Sequence, residues 1–484
     1  MIDPAFRSRS PHKKTLLGSL VAACALSACG SPEEVVREPT GEEKLVVVVI
    51  VDTLRQDALG CYGNETAQTP RIDQIAAEGV RFDQAISASG WTLPSVASIL
   101  TGTWPSMHKA LGKASRLTPI TNDLPVAAEV FRKAGYGTLG FANAAFLSPL
   151  LGLDRGFDLF DHRHAYNQEI RRADATVDDA LLAISERPAE DLFLLVHLFD
   201  AHLDYDPPDG YIKPFVGARR DPAPPLSMAE CMGLREDKAS PSAANLEYIR
   251  GLYQGEVAFV DRAIGRLVDG LTELNRWDKT TLVLTSDHGE EFWDHGGFEH
   301  GHTLYDELVR VPLIVRTPQS SGNSTHSTER MVRTIDIMPT LFELSGVKSP
   351  ASFEGKSLTG SLQEGGTPHR VLPAFSQGTL YGAEKLSWRT ERYSLILDQA
   401  QKGPDAVELY DIQKDPLQLQ NIASQEPQVA QELSAALGRF LNKMLARAKT
   451  ISTPELKDMG PTTIKKYVES LDKLGYTGRD DEEN

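Results

Sequence analysis

The sequence predicts a doubly wound, mostly parallel α/β sheet followed by a small C-terminal α+β subdomain. Two apolar runs, residues 44–51 and 192–198, have the pattern of strands buried on both faces, as in a parallel sheet covered by helices. Helical and strand-like segments alternate along most of the chain, which is typical of repeated βα units. From about Leu372 the runs become shorter, which indicates a second, smaller part.

The main domain begins with the strand over 44–51, and a helix follows with Thr69 as its N-cap, Pro70 in its first turn and Gly79 as its stop. The next predicted elements are a strand from Arg81, a helix over 123–134, strands over 137–142 and 192–198, a helix over 246–274 and a strand over 281–286. The proline-rich stretch 205–241 is interpreted as irregular.

The C-terminal part is predicted to hold strands over 385–388, 393–397 and 407–410 and a helix over 426–448. The predicted organisation is a signal segment (1–29), a linker (30–43), a catalytic domain (44–370), the small subdomain (371–450) and a tail (451–484).

The net charge of the chain indicates which classes of partner it can bind. A formal net charge of -17 argues against a nucleic-acid partner, because a polyanion needs a surface on which lysine and arginine predominate. An anionic substrate must therefore be attracted by local cations, from a metal ion or from clustered histidine and arginine.

The N-terminus has the features of an export signal. Basic residues over 7–14 precede an apolar run, 15–28, that is too short for a stable membrane anchor. The run ends Leu-Ser-Ala-Cys-Gly, which resembles a bacterial lipobox with Cys29 as the lipidated residue. The expected location is the bacterial cell envelope, with the exported chain lipid-anchored at the periplasm or cell surface. A cleaved signal with an incidental cysteine is the alternative.

Three acids, Asp52, Asp200 and Asp287, follow predicted strands. In doubly wound sheets, ligands lie outside the carboxyl ends of the strands, so these acids are candidates for chemistry. Thr92 precedes a proline-initiated apolar helix, where the helix dipole and backbone N–H groups favour an ionised oxygen. An ordinary N-cap is the other interpretation of this threonine.

Several motifs in the same order resemble the sulfatase family of the alkaline phosphatase superfamily. They are the segments 51–57, 90–108, 199–202, 285–292, 300–307, 335–341 and 408–416. The resemblance implies a divalent metal bound by Asp52, Thr92, Asp287 and His288. The imidazole favours Zn or Mn over Ca, which takes oxygen ligands. Many calcium sulfatases have a second acid where this chain has Thr53.

One ion is the preferred interpretation of this resemblance. A second ion held by His202, His302 and either Asp200 or Asp204 is the alternative, because two-metal sites are common in the superfamily. The mid-strand residue His197 is interpreted as part of the core.

The nucleophile position departs from the common sulfatases. Their formylglycine arises from Cys or Ser in a Cys/Ser-x-Pro-x-Arg motif, and here residues 92–96 read Thr-Leu-Pro-Ser-Val. Threonine is not a substrate for that conversion. The change resembles the unmodified threonine nucleophile of phosphodiesterases and phospho-group transferases in the superfamily. The sequence therefore predicts cleavage of phosphodiester or phosphonate esters, with arylsulfatase-like hydrolysis as the alternative.

Histidines complete the predicted site. The resemblance gives His202 a role in binding the substrate anion and His302 a role as proton donor to the leaving group. His108 and His300 are weaker candidates for substrate binding. The expected substrate is a small anionic ester, free or carried on a glycan or lipid, and the oligomeric state stays open. A non-catalytic binding lipoprotein and an envelope phospho-group transferase are the remaining alternatives.

Overall fold

The part of the chain that the structure describes covers most of the two predicted folded regions. The computed structural model describes residues 41–113, 116–162, 171–216, 233, 241–318, 326–362, 367–453, 467 and 471. The predicted signal segment with Cys29, nearly all of the linker and most of the tail lie outside the described residues.

The strands form one large sheet, one four-stranded sheet and two short hairpins. In chain order they are β1 (Leu45–Val51), β2 (Val80–Ile86), β3 (Gly112–Lys113), β4 (Arg116–Leu117), β5 (Gly137–Phe141), β6 (Leu159–Asp161), β7 (Leu192–Leu198), β8 (Thr280–Ser286), β9 (Glu291–Phe292), β10 (Phe298–Glu299), β11 (Arg310–Arg316), β12 (His326–Thr328), β13 (Val332–Arg333), β14 (Ala374–Gln377), β15 (Lys385–Arg389), β16 (Tyr393–Asp398) and β17 (Val407–Asp411).

Helices cover the large sheet and one face of the small one. In chain order they are α1 (Pro70–Glu78), α2 (Thr92–Thr101), α3 (Pro105–His108), α4 (Ala127–Lys133), α5 (Ala173–Ser185), α6 (Asp209–Val216), α7 (Ala243–Glu273), α8 (Asp306–Val309), α9 (Ile337–Ser345) and α10 (Pro427–Ala448). No helix among these residues is long and apolar enough to cross a membrane.

The large sheet has the order β12-β2-β11-β8-β1-β7-β5-β6, and β13 also pairs with β2. Only β11 is antiparallel to its neighbours, β2 and β8. The predicted doubly wound, mostly parallel sheet is therefore confirmed. Every residue of β1 and β7 is buried, as expected for strands covered on both faces. Because β1, β2, β5, β7 and β8 run the same way, the loops that follow them meet at one edge of the sheet.

Two predicted segments differ from the structure. The helix expected over 123–134 begins only at Ala127, because Val126 is extended and occupies the N-cap position, where its N–H donates to Glu129 Oε2 over 3.0 Å. The stretch 205–241, interpreted as irregular, contains helix α6, while 217–232 and 234–240 lie outside the described residues.

The C-terminal sheet, β14-β15-β16-β17, is antiparallel and packs against α10, as the α+β prediction requires. Its first strand is joined to the loop after β2. The Gln377 N–H donates to the Ala88 carbonyl over 2.9 Å, and the Ser376 hydroxyl donates to the Ser87 carbonyl over 2.6 Å. The C-terminal part thus supports the loop that leads to Thr92.

Candidate active site

Thr92 lies at the first position of α2, directly after the loop that leaves β2. Trp91, not Thr92, occupies the N-cap position, so the N-cap interpretation of Thr92 is wrong. The Thr92 hydroxyl lies 3.3 Å from His288 Nε2. The loop is held in place because the Ser87 hydroxyl donates to the Asp287 carbonyl and the Ser95 hydroxyl donates to the Ser89 carbonyl. These contacts bring the threonine to the carboxyl end of β8.

Strand pairing brings Asp52 and Asp287 together. Strands β1 and β8 pair in parallel with Val51 opposite Ser286, so the next residue in each strand is an aspartate at the same level. His288 lies between them, with its Nε2 3.5 Å from Asp52 Oδ1 and 3.4 Å from Asp287 Oδ2. The three side chains have no exposed surface.

A backbone carbonyl orients the His288 ring. The Nδ1 atom lies 2.9 Å from the Gly289 carbonyl oxygen, which can only accept, so Nδ1 carries the proton in the neutral ring. The Nε2 lone pair then faces Asp52, Asp287 and Thr92. This is the arrangement by which an outer hydrogen bond prepares a histidine to bind a metal.

The cluster fits a divalent metal ion on two observations. Both oxygens of Asp52 and the Oδ2 atom of Asp287 are buried without a hydrogen-bond partner, which is costly unless a cation compensates them. The contacts from His288 to the two acids and to Thr92, at 3.3–3.5 Å, match the separation of about 3.4 Å expected between ligand atoms 2.1 Å from a tetrahedral ion. Asp52, Thr92, Asp287 and His288, the predicted ligands, therefore do converge.

The paired carboxylates affect each other's protonation. Burial, followed by the charge of Asp52, raises the pKa of Asp287 to about 6. For Asp52, burial raises the pKa, but the neighbouring rings of His197, His202 and His288 outweigh it and hold the pKa below its usual value. The site therefore favours one firmly ionised carboxylate.

His197, which the sequence interpretation placed in the core, is buried as expected but also contacts the acid cluster. It lies in β7, fully buried, with Nε2 3.4 Å from Asp52 Oδ2. Asp52, His197 and Asp287 each offer one ligand atom, and these atoms lie within 4.8 Å of one another. The available signal was a lone polar residue in an otherwise apolar strand.

His300 and His202 extend the cluster away from the acids. The His300 ring packs against His288 and His202, with ring centroids 4.5 and 4.9 Å away, and its Nδ1 lies 2.9 Å from Glu290 Oε1. Tyr205 donates to the other oxygen of Glu290. Burial raises the pKa of Glu290 to about 8, and burial together with the charge of His288 holds the pKa of His300 well below its usual value. Two of the four predicted substrate-binding histidines, His202 and His300, therefore border the Thr92 site.

His302 is held by a carboxylate partner. Its Nε2 lies 2.7 Å from Glu291 Oε2, and its side chain is 21% exposed. Burial raises the pKa of Glu291, but the hydrogen bond and charge of His302 outweigh burial and keep that pKa below its usual value. The Nδ1 atom of His302 has no hydrogen-bond partner among the described residues. An imidazole held in this way by a carboxylate presents Nδ1 as its remaining proton-transfer atom.

His108 lies outside the site, so the prediction that it binds the substrate is wrong. The Ala110 N–H donates to its Nδ1 over 3.1 Å, so Nε2 carries the proton and donates to the Ser98 hydroxyl over 2.9 Å. The ring is fully buried, and burial lowers the pKa of His108 to about 3. With both nitrogens used inside the core, this histidine is structural.

The alternative second metal site does not form among the described residues. His202, His302 and either Asp200 or Asp204 do not come within metal-ligand distance of one another. Asp200 instead lies 3.6 Å from the Arg172 guanidinium, which also contacts Glu256 at 3.3 Å. The guanidinium therefore supplies the positive charge beside Asp200.

The fold and the site together define the class of enzyme. Paired carboxylates, an imidazole and a buried hydroxyl at the carboxyl edge of a mostly parallel sheet are the parts of a metal-dependent ester hydrolase. The Sulfatase family model matches residues 44–347, and the model for the N-sulphoglucosamine sulphohydrolase C-terminal region matches residues 293–447. The chain belongs to the sulfatase family.

Individual relatives cover most of the chain. An arylsulfatase of Clostridium perfringens is 24% identical over 79% of this chain and 90% of its own length. The multifunctional alkaline phosphatase superfamily protein PehA of Trinickia caryophylli is 24% identical over 66% of this chain and 77% of its own length.

Solved structures share the fold at similar levels of sequence identity. A protein in complex with its substrate D-glucosamine-2-N,6-O-disulfate has a TM-score of 0.69 and 21% identity, covering 84% of this chain and 98% of that chain. The phosphonate monoester hydrolase of Agrobacterium radiobacter has a TM-score of 0.66 and 21% identity, covering 84% and 96%. Sulfatases and phosphonate ester hydrolases both occur among the similar proteins, so ester hydrolysis is the shared activity.

Proposed function

We propose that this member of the sulfatase family uses the unmodified Thr92 hydroxyl to cleave phosphodiester or phosphonate esters. The observation that carries the proposal is a threonine, rather than cysteine or serine, 3.3 Å from His288 Nε2 at the edge of a buried ligand cluster. A threonine ester of phosphate can be hydrolysed by attack of water at phosphorus, so the cycle can close without a formylglycine.

Four residues of the site have the role of binding the metal ion in the proposed reaction. Asp52, Asp287 and His288 would hold the ion together with Thr92. When bound, a divalent ion polarises the nonbridging oxygens of the ester and lowers the pKa of the attacking hydroxyl. Zn or Mn suits this ligand set better than Ca, because one ligand is an imidazole.

Bond making and bond breaking then involve this chain's own groups. The Thr92 hydroxyl gives up its proton to solvent, and its oxygen forms a bond to phosphorus as the bond from phosphorus to the leaving-group oxygen breaks, while His302 Nδ1 donates a proton to that oxygen. Water then attacks the phosphothreonine and passes a proton back to His302 Nδ1, the bond from phosphorus to the Thr92 oxygen breaks, and the product anion leaves. His202 and His300, beside the cluster, are positioned to contact the substrate anion.

The second candidate function is sulfate ester hydrolysis. It is favoured by the relatives, because the arylsulfatase of Clostridium perfringens and the N-acetylglucosamine-6-O-sulfatase of Bacteroides thetaiotaomicron both align with most of this chain. A sulfated threonine is harder to clear than a phosphorylated one, since elimination from an aldehyde hydrate is not available to it. This difference supports the phosphorus esters.

A substrate panel on metal-loaded protein separates the two functions. Aryl sulfate, phosphate monoester, phosphodiester and phosphonate ester are compared at equal leaving group, with bound metal measured in the same samples. The proposal requires turnover of the phosphodiester or phosphonate ester to exceed that of the sulfate. Efficient sulfate hydrolysis without phosphorus-ester turnover would overturn it. A glycan acceptor added to the same assay detects transfer in place of hydrolysis.

Replacing His302 with asparagine is expected to slow esters with poor leaving groups by roughly 100-fold, the scale of one general acid. Esters of p-nitrophenol need little proton donation and should be much less affected. The measurement is kcat against leaving-group pKa for both proteins. His295→Asn is the matched control, because His295 is likewise paired with a glutamate, Glu307. An equal loss across all leaving groups would argue against the acid role.

We further propose that the chain is exported and anchored in the bacterial envelope by a lipid on Cys29. The support is the basic stretch, the short apolar run and the lipobox-like ending of residues 7–30. Labelled fatty acid should be incorporated into the parent and lost in Cys29→Ser. Equal incorporation in both proteins would count against Cys29 as the acceptor.

A further inference from the structure

We propose that His197 is a metal ligand, binding through Nε2 to the same ion as Asp52 and Asp287. This inference rests on the proposed function, because it concerns the same ion. It adds a second imidazole, from strand β7, to the predicted set of Asp52, Thr92, Asp287 and His288. The ion would then be held from three neighbouring strands, β7, β1 and β8, and from the start of α2.

Strand register is the first support. His197 pairs with Ile50 in the parallel ladder between β1 and β7, and Ile50 also pairs with Thr285 of β8. Paired residues point to the same face of a sheet, and the residue two positions on points there again. Asp52 and Asp287 are those residues two positions on. The three side chains therefore share one face by construction of the sheet.

The second support comes from interatomic distances and from buried polar atoms that lack a hydrogen-bond partner. His197 Nε2 lies 3.4 Å from Asp52 Oδ2, the separation seen between His288 and its acids. Among the described residues, neither nitrogen of His197 and neither oxygen of Asp52 makes a hydrogen bond. A fully buried imidazole and carboxylate at this distance, both unsatisfied, are matched by a cation between them.

The two histidines contact different oxygens of one carboxylate. His288 contacts Oδ1 of Asp52 and His197 contacts Oδ2, so Asp52 lies between two imidazoles. Thr53, the residue after Asp52, donates its hydroxyl to the Ala201 carbonyl over 2.7 Å. Together with Asp287 and Thr92, the two histidines and Asp52 would make a set of five ligands, in which two imidazoles favour a transition metal over calcium.

The competing role for His197 is that of a positioning residue that only orients Asp52. The two roles differ in a quantity that can be measured directly, which is the number of imidazoles bound to the ion. X-ray absorption spectroscopy of the Zn- or Co-loaded full chain should give two imidazoles per ion in the parent. One imidazole in the parent would overturn the proposal, and so would two ions with one imidazole each.

Variants supply the second measurement. In His197→Gln the imidazole number should fall to one, and metal affinity, measured by chelator competition, should fall by more than roughly 100-fold, beyond the loss of an outer-shell partner. His108→Gln is the matched control, because His108 is equally buried and lies outside the cluster. Unchanged affinity in folded His197→Gln would overturn the proposal. Should this variant not fold, the imidazole number of the parent decides alone.

The outcomes also separate this inference from the proposed function. A parent with one imidazole per ion and Thr92-dependent turnover of phosphorus esters would remove His197 from the ligand set and leave the proposed function intact. A parent that binds no divalent transition metal at all would overturn both.

Discussion

Replacing Thr92 with alanine is expected to reduce turnover of a phosphodiester by roughly 10⁴-fold or more, the scale of loss when a nucleophile is removed. The reason is that no other hydroxyl is placed 3.3 Å from His288 Nε2 among the described residues. Thr92→Ser keeps the attacking oxygen and should retain measurable activity. The measurement is kcat for bis(p-nitrophenyl) phosphate, with bound metal determined in each sample.

Thr101→Ala is the matched control for the loss of a buried threonine. Thr101 ends the same helix, is as buried as Thr92, and donates its hydroxyl to the Ala97 carbonyl within the helix. It should fold and turn over like the parent. Trapping of labelled phosphate on the parent after acid quenching, and its absence in Thr92→Ala, would identify the covalent step. Equal turnover in Thr92→Ala and parent would rule out Thr92 as the nucleophile, whereas no turnover by either protein would favour a chain that only binds its ligand.

Replacing Asp287 with asparagine should weaken metal binding by at least about 100-fold, more than the loss of a typical outer-shell partner. Activity should fall with metal occupancy and recover in part at high metal concentration. Asp261→Asn is the matched control, because Asp261 is also a buried acid but accepts backbone N–H groups from Arg71 and Ile72. Chelator competition and inductively coupled plasma analysis give the affinity and the occupancy.

The same substitution has an opposite effect on the metal-free protein. Asp52 and Asp287 are buried side by side, and without a cation the two carboxylates repel each other. Metal-free Asp287→Asn should therefore melt at a higher temperature than the metal-free parent, while the metal-loaded parent melts highest. A metal-free variant that melts below the metal-free parent would mean that Asp287 has a structural role beyond holding the ion.

Elements with strong local signals were predicted closely. β7 matches its predicted bounds, 192–198, and β1 and β8 begin within one residue of theirs, because each strand contains a short run of apolar residues. The four predicted ligands converge because strand ends and the helix start place them at one edge. The strand bounds depend on residues that are near one another in the chain, and the convergence of the ligands follows from the general rule that loops after parallel strands meet at one edge of the sheet.

What the sequence did not predict depends on long-range register. His197 lies within an apolar strand, and only its pairing opposite Ile50 puts it on the face of Asp52. His108 has both nitrogens occupied by Ser98 and Ala110, and no pattern in the sequence shows that these residues contact it. Partners of buried polar groups are set by packing, which a single sequence does not contain.

The hydrogen bonds between the C-terminal sheet and the loops of the large sheet determine whether the enzyme can be separated into two domains. Besides the bonds from β14 to residues 87–88, the Gly301 carbonyl accepts N–H groups from Leu380 and Tyr381. His295 Nε2 and the Asp306 N–H are bonded to Gln418. A fragment that ends at the predicted boundary between residues 370 and 371 would therefore lose hydrogen-bond partners of the loop that leads to Thr92 and of the loop that holds His302. The C-terminal sheet should therefore be kept together with the catalytic domain when fragments of the enzyme are designed.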